Sequence, residues 1–132
     1  MKYFTMKELT KSSTADKLGI DNTPTPEASA QLSNLVTHVL DPLREMYGKA
    51  ITVNSGYRCP KLNAAVGGAK NSQHMRGEAA DITAGSKTEN KKLFELIRDN
   101  LPFDQLLNEN DYSWVHVSYV SKSKNRKQIL SL

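Results

Sequence analysis

The chain has 132 residues, 38% apolar and 24% charged, which is material for one modest core and a single domain over residues 1–132. Its formal net charge of +4 is dispersed except for Lys122, Lys124, Arg126 and Lys127, a stretch with no nucleic-acid motif, so nucleic acid is not an expected partner. The single cysteine, Cys59, excludes an intrachain disulfide, and no apolar run is long enough for a secretion signal or a membrane span, so a monomeric, cytoplasmically made protein with no membrane partner is expected.

Thr5-Met6-Lys7-Glu8 fits a capping box and predicts a short helix. Residues 10–25, rich in Ser, Thr, Asp, Asn and Pro, read as an ordered loop or a short turn of helix. Thr25-Pro26 opens the main core helix, with an N-cap hydroxyl and a proline at the first helical position. Leu32, Leu35, Val36, Val39, Leu40 and Leu43 then recur at helical spacing towards Gly48, and Pro42 predicts a kink. His38 lies off that stripe and reads as a surface residue. Ile51-Thr52-Val53 predicts a strand, Pro60 to Val66 a short helix, and Ala79 to Thr83 a second strand. Cys59, in the turn before Pro60, reads as a free buried or half-buried thiol. Thr88 to Asn100 is amphipathic, with Leu93, Phe94, Leu96 and Ile97 inside, and Pro102 closes it. Gln105 to Asn108 and Trp114 to Tyr119 predict paired antiparallel strands, and Lys127 to Leu130 an edge strand. The basic residues before that edge are read as a charged edge or solvated face, or as steering towards an anionic polymer such as a cell wall. Helices precede strands, so the expected class is α+β, a small antiparallel sheet packed with helices.

Two segments carry chemistry, Ser72-Gln73-His74-Met75-Arg76-Gly77-Glu78-Ala79-Ala80-Asp81 and Trp114-Val115-His116-Val117-Ser118. Gly77 permits a loop that doubles back and brings His74 near Asp81. In the strand that follows, Ala80 and Ile82 should face the core, which turns Asp81 and Thr83 to the other face. A carboxylate there needs a partner, because leaving it buried and unpaired is costly. The second segment alternates, so His116 shares a face with Trp114 and Ser118. Two imidazoles and one carboxylate form the donor set of a catalytic zinc with an open fourth position. Spacing alone also accommodates a hydrogen-bonded structural histidine in a strand.

The segment from Val53 to Thr83, followed by Trp114-Val115-His116, resembles the M15 family of zinc peptidases, the hedgehog/D-alanyl-D-alanine peptidase fold group. The shared blocks are Ser55-Gly56-Tyr57-Arg58, S-x-H-x-x-G-x-A-x-D over 72–81, and W-x-H over 114–116, in that order. The resemblance implies that His74, Asp81 and His116 bind one Zn2+ per chain. It implies that Arg58 holds the substrate carboxylate or carbonyl and that Ser72, Gln73 and Trp114 contribute to the cleft. Ser72 could equally serve as a local cap. Many family members place the general base three residues before the last histidine, where this chain has Ser113. Glu109 is the candidate base by its place in Asp104-Gln105-Leu106-Leu107-Asn108-Glu109, with Asp111 as the alternative. The implied activity is hydrolysis of peptidoglycan stem peptides, by a D-Ala-D-Ala carboxypeptidase or an L-Ala-D-Glu-type endopeptidase, in a phage or prophage endolysin or a related setting. A catalytically inactive zinc domain that binds wall peptides or a protein partner is the alternative that Ser113 keeps open.

Overall fold

Capping and hydrophobic spacing place the helices. The computed structural model describes residues 1–132. Helix α1 (Met6–Thr10) starts from the full Thr5/Glu8 capping box, and α2 (Ser13–Leu18) starts from Ser12, whose hydroxyl accepts from the Ala15 N–H. The polar stretch over 10–25 therefore contains a defined short helix. Helix α3 (Pro26–Leu35) follows Thr25 and runs without a break through a π-helical turn (Val36–Leu40) into α4 (Asp41–Tyr47). The distortion expected at Pro42 takes that form: the proline has no N–H to give, and the Asp41 N–H just before it bonds back five residues to the Val36 carbonyl.

Strand β1 (Thr52–Ser55) and helix α5 (Pro60–Ala65) lead to a 3-10 turn (Gln73–Arg76) and then to β2 (Ala79–Thr83). Helix α6 (Lys87–Asn100), β3 (Gln105–Glu109), β4 (Trp114–Ser118) and β5 (Gln128–Ser131) complete the chain. Before α5, the Cys59 sulfur accepts from the Leu62 N–H at 3.4 Å, so this half-buried thiol acts as a helix cap.

The sheet order is β1-β2-β4-β3-β5. Its first four strands pair antiparallel, as expected, and β5 adds to the β3 edge in parallel. The parallel edge follows from where β4 ends. Ser118 lies beside the start of β3, its carbonyl accepting from the Asp104 N–H at 2.8 Å. The connection over 119–127 then crosses that same end, and Asp104 accepts from the Gln128 N–H. The last strand therefore begins where β3 begins.

The two sheet faces differ in chemistry. Ala80, Ile82, Leu106, Val115 and Val117 join Leu32, Leu35, Val39, Leu40, Leu93, Phe94 and Ile97 in one buried cluster with the helices. Alternation turns Asp81, His116, Leu107 and Glu109 to the opposite face. No helix is long and apolar enough to cross a membrane.

Asn90 ties α6 to the sheet. It is buried, accepts from Thr83 Oγ1 and the Ala84 N–H, and donates to the carbonyls of Tyr112 and Ser113. These bonds brace the β3–β4 turn, where Asn110, Asp111 and Tyr112 all have positive φ. Replacing Asn90 with Leu is expected to cost about 2–4 kcal/mol of unfolding free energy by denaturant titration, since several buried groups lose partners together.

Candidate metal centre and cleft

The Gln73–Arg76 turn exists to present His74. Ser72 Oγ accepts from the His74 N–H at 3.2 Å, and the His74 carbonyl accepts from the Arg58 N–H at 3.1 Å. Gly77 ends the turn in the left-handed region at φ 73°, and a Cβ there would stand 2.3 Å from the Ala28 carbonyl oxygen of α3. Gly77→Ala therefore combines backbone strain with a clash against fixed backbone. It is expected to destabilise the protein by about 2 kcal/mol or more in thermal or denaturant unfolding.

The His74 ring is 3% exposed, and its Nδ1 lies 2.7 Å from the Gly56 carbonyl oxygen. A carbonyl can only accept, so Nδ1 carries the proton and the Nε2 lone pair faces inward. Nε2 lies 3.4 Å from Asp81 Oδ2, while Asp81 Oδ1 lies 2.9 Å from His116 Nδ1. Strand register sets the second contact, because Asp81 and His116 are direct partners across β2 and β4. Burial opposes charge on Asp81. The histidine contacts, of which the hydrogen bond from His116 is the strongest, outweigh it and hold the carboxyl well below the usual carboxylate range.

One ligand atom from each of these three residues falls within 4.8 Å of the others. The geometry fits a cation: an imidazole lone pair and a carboxylate oxygen face each other at 3.4 Å. Two such acceptors repel unless positive charge lies between them. Two nitrogens and one carboxylate, converging and largely shielded from water, are the donor chemistry of a three-residue zinc site.

Of the three residues, His116 reaches a cleft of about 450 Å3, lined also by Ser72, Gln73, Arg76, Glu109 and Arg126 among others. Glu109 enters it by register. Leu107 is the direct partner of His116 and Glu109 that of Trp114, so Glu109 is the diagonal neighbour of His116 on the same face. Asp111 does not enter it. Its side chain is 82% exposed in the left-handed turn and faces Lys87 Nζ at 3.6 Å. Ser113 is occupied in that turn, its hydroxyl donating to the Asn110 carbonyl at 2.7 Å. Trp114, expected along the cleft, is half-buried at the outer end of β4 and is not part of this wall. It shares the face of His116 two residues away, but of the Glu109–Trp114 pair only Glu109 lines the hollow.

Arg58 sits on the β1 side. Its Nη2 donates to Ser72 Oγ at 3.4 Å and its Nε is buried without a partner. Burial pushes the guanidinium below its ordinary value, and the nearby Asp81 carboxylate opposes that shift. Ser72 caps the His74 turn and also lines the cleft.

Sequence reasoning missed Asp104. It is 1% exposed and accepts from Arg126 Nη2 at 2.7 Å, Arg126 Nε at 3.0 Å and Gln73 Nε2 at 2.9 Å. Nothing in the local sequence distinguishes it from an ordinary acid at a strand start. Its charge is stabilised chiefly by the Arg126 hydrogen bond, so its carboxyl titrates below the usual value. A folded pKa below the unfolded one means the contribution is complete above the unfolded value and is lost as pH falls through the folded value. Stability measured below about pH 4 is therefore expected to fall less steeply for Asp104→Asn than for the wild type, from a lower plateau near neutrality.

A family model described as Peptidase M15 matches residues 2–118. Over 62 residues the sequence is 50% identical to a zinc D-Ala-D-Ala carboxypeptidase of Streptomyces albus G. That alignment takes in 46% of this chain and 24% of the relative, so the similarity spans about a quarter of the relative's length.

Proposed function

The chain belongs to the peptidase M15 family, a family of zinc metallopeptidases, and on that footing we propose that it cleaves D-Ala-D-Ala-ended stem peptides of peptidoglycan as a carboxypeptidase. The observation that carries the reading is the convergence of His74, Asp81 and His116, the last of which lines a cleft together with Glu109. Zn2+ is the cofactor, and these three residues are its proposed ligands. When bound, it supplies Lewis acidity that lowers the pKa of water and polarises a carbonyl.

The chain's own residues do the rest. The Nδ1–H bond to Gly56 keeps His74 Nε2 free as a donor atom and fixes its ring. Arg58 offers its fork to the terminal carboxylate of the substrate, which suits the charge and planarity of a guanidinium. Glu109 accepts a proton from the attacking water and returns it to the leaving amine. The activity of the Streptomyces albus G relative supports the D-Ala-D-Ala substrate. An L-Ala-D-Glu-type endopeptidase, in a phage or prophage endolysin, is the second reading, and the reaction products decide between the two.

Product analysis tests this. Purified peptidoglycan and a D-Ala-D-Ala-ended stem peptide are incubated with the protein, with and without chelator. Free D-alanine released only with metal present is the expected result. New internal amino groups without D-alanine would move the assignment to an endopeptidase. No cleavage by protein carrying about one zinc per chain would leave a wall-peptide-binding domain.

A further inference from the structure

One member of the C-terminal basic stretch belongs to the cleft. Arg126 lines it together with His116 and Glu109. Its guanidinium is held along one edge by Asp104, through Nε to Oδ1 at 3.0 Å and Nη2 to Oδ2 at 2.7 Å. Its backbone N–H also donates to Oδ1, at 2.9 Å. The carboxylate is buried, yet the arginine side chain remains 56% exposed. A guanidinium has five donors. Asp104 occupies two of them, and Nη1 makes no hydrogen bond within the protein. A buried anion thus fixes an exposed cation at the cleft wall before any ligand arrives, which removes much of the ordering cost of binding.

Strand order puts this cation across the centre from Arg58. Asp81 and His116 stand on the adjacent strands β2 and β4; Arg58 follows β1 at one edge, and Arg126 precedes β5 at the other. We infer that Arg126 is a second anion subsite, which binds a substrate carboxylate two to three residues before the scissile bond and selects acidic over amidated peptides. This rests on the peptidase reading, in which Arg58 takes the C-terminal carboxylate. The spacing agrees: β5 lies about 12 Å from the centre at ~4.8 Å per strand, an extended peptide covers ~3.3 Å per residue, and the long arginine side chain shortens the gap. A carboxylate can use the free edge of the fork, whereas its amide loses the charge assistance.

Two D-Ala-D-Ala-ended peptides that differ only in a free or amidated glutamyl carboxylate, three residues before the cut, test the inference. The zinc-loaded wild type is expected to show a KM about tenfold lower for the acid, with similar kcat, as for a charge-assisted contact. Arg126→Gln keeps a hydrogen-bond donor for Asp104 and is expected to raise the acid's KM to that of the amide. Arg126→Lys keeps the charge but not the fork and is expected to retain part of the preference, which serves if the Gln variant does not fold. Equal KM values in the wild type overturn the inference, as does a variant that impairs both peptides alike, the result of a merely structural ion pair. If the wild type cuts neither peptide, the peptidase reading fails by itself. Calorimetric titration of the same two peptides then decides the subsite: tighter binding of the acid, lost in Arg126→Gln, supports it, and equal affinities overturn it.

Discussion

Replacing Glu109 with Gln is expected to lower turnover about 10²–10⁴-fold, the usual range for loss of a general base, while zinc content stays at about one per chain. The amide preserves size and shape but cannot take a proton. Glu109 is not among the three residues whose ligand atoms converge, so its loss leaves the donor set intact. It shares a cleft with His116 and sits diagonal to it across β3 and β4, whereas Asp111 is 82% exposed and turned to Lys87. The companion substitution Asp111→Asn is accordingly expected to leave kcat within about twofold of wild type, as for a surface change away from special features. Steady-state kinetics on a D-Ala-D-Ala peptide, with metal analysis of the same samples, reads both. Unchanged turnover in Glu109→Gln would remove it as the base.

Replacing Asp81 with Asn is expected to weaken zinc binding by about 100-fold or more, exceeding the loss seen when an outer-shell partner of a ligand is removed. Asp81 is the only anion of the three converging residues, and it lies between the two imidazoles at 2.9 and 3.4 Å. Without it, His74 Nε2 and His116 Nδ1 have no negative charge between them to offset that of the metal. The loss is also read in stability. A ligand that binds only the folded state adds about 2.7 kcal/mol at a free concentration 100 times its Kd. Added zinc should therefore raise the melting temperature of the wild type and not that of Asp81→Asn. A variant that binds zinc at wild-type strength would exclude Asp81 as a ligand.

The reach of the sequence differs from element to element. Caps, spacing and alternation were local, so α1, α3, α6 and the strands carrying Asp81 and His116 were legible. The helix at Ser13–Leu18 was half-legible, because its polar surface gives only a cap and no apolar stripe of length. The strained turn at Asn110–Tyr112 was not, because what holds it is Asn90 on α6, which donates to two of its carbonyls. The two candidate acids follow the same division. Glu109 and Asp111 are two residues apart and equal as acids, and only a turn with three positive φ values sends one into the cleft and the other to solvent.

By itself the sequence determined the donor types, their order along the chain and the face each takes, since these depend on side-chain chemistry and on the period of a strand. Tertiary structure alone decided the rest. It set the 2.9 and 3.4 Å contacts that make three residues one centre, through the β2–β4 register and the Gly56–His74 bond. It ran β5 parallel along the β3 edge, and it turned Arg126 from a member of a basic run into a cation fixed at the cleft by Asp104. The reason is physical: such pairings join residues 7, 22 or 35 positions apart in sequence. Their energies come from burial and mutual orientation, which no local pattern encodes.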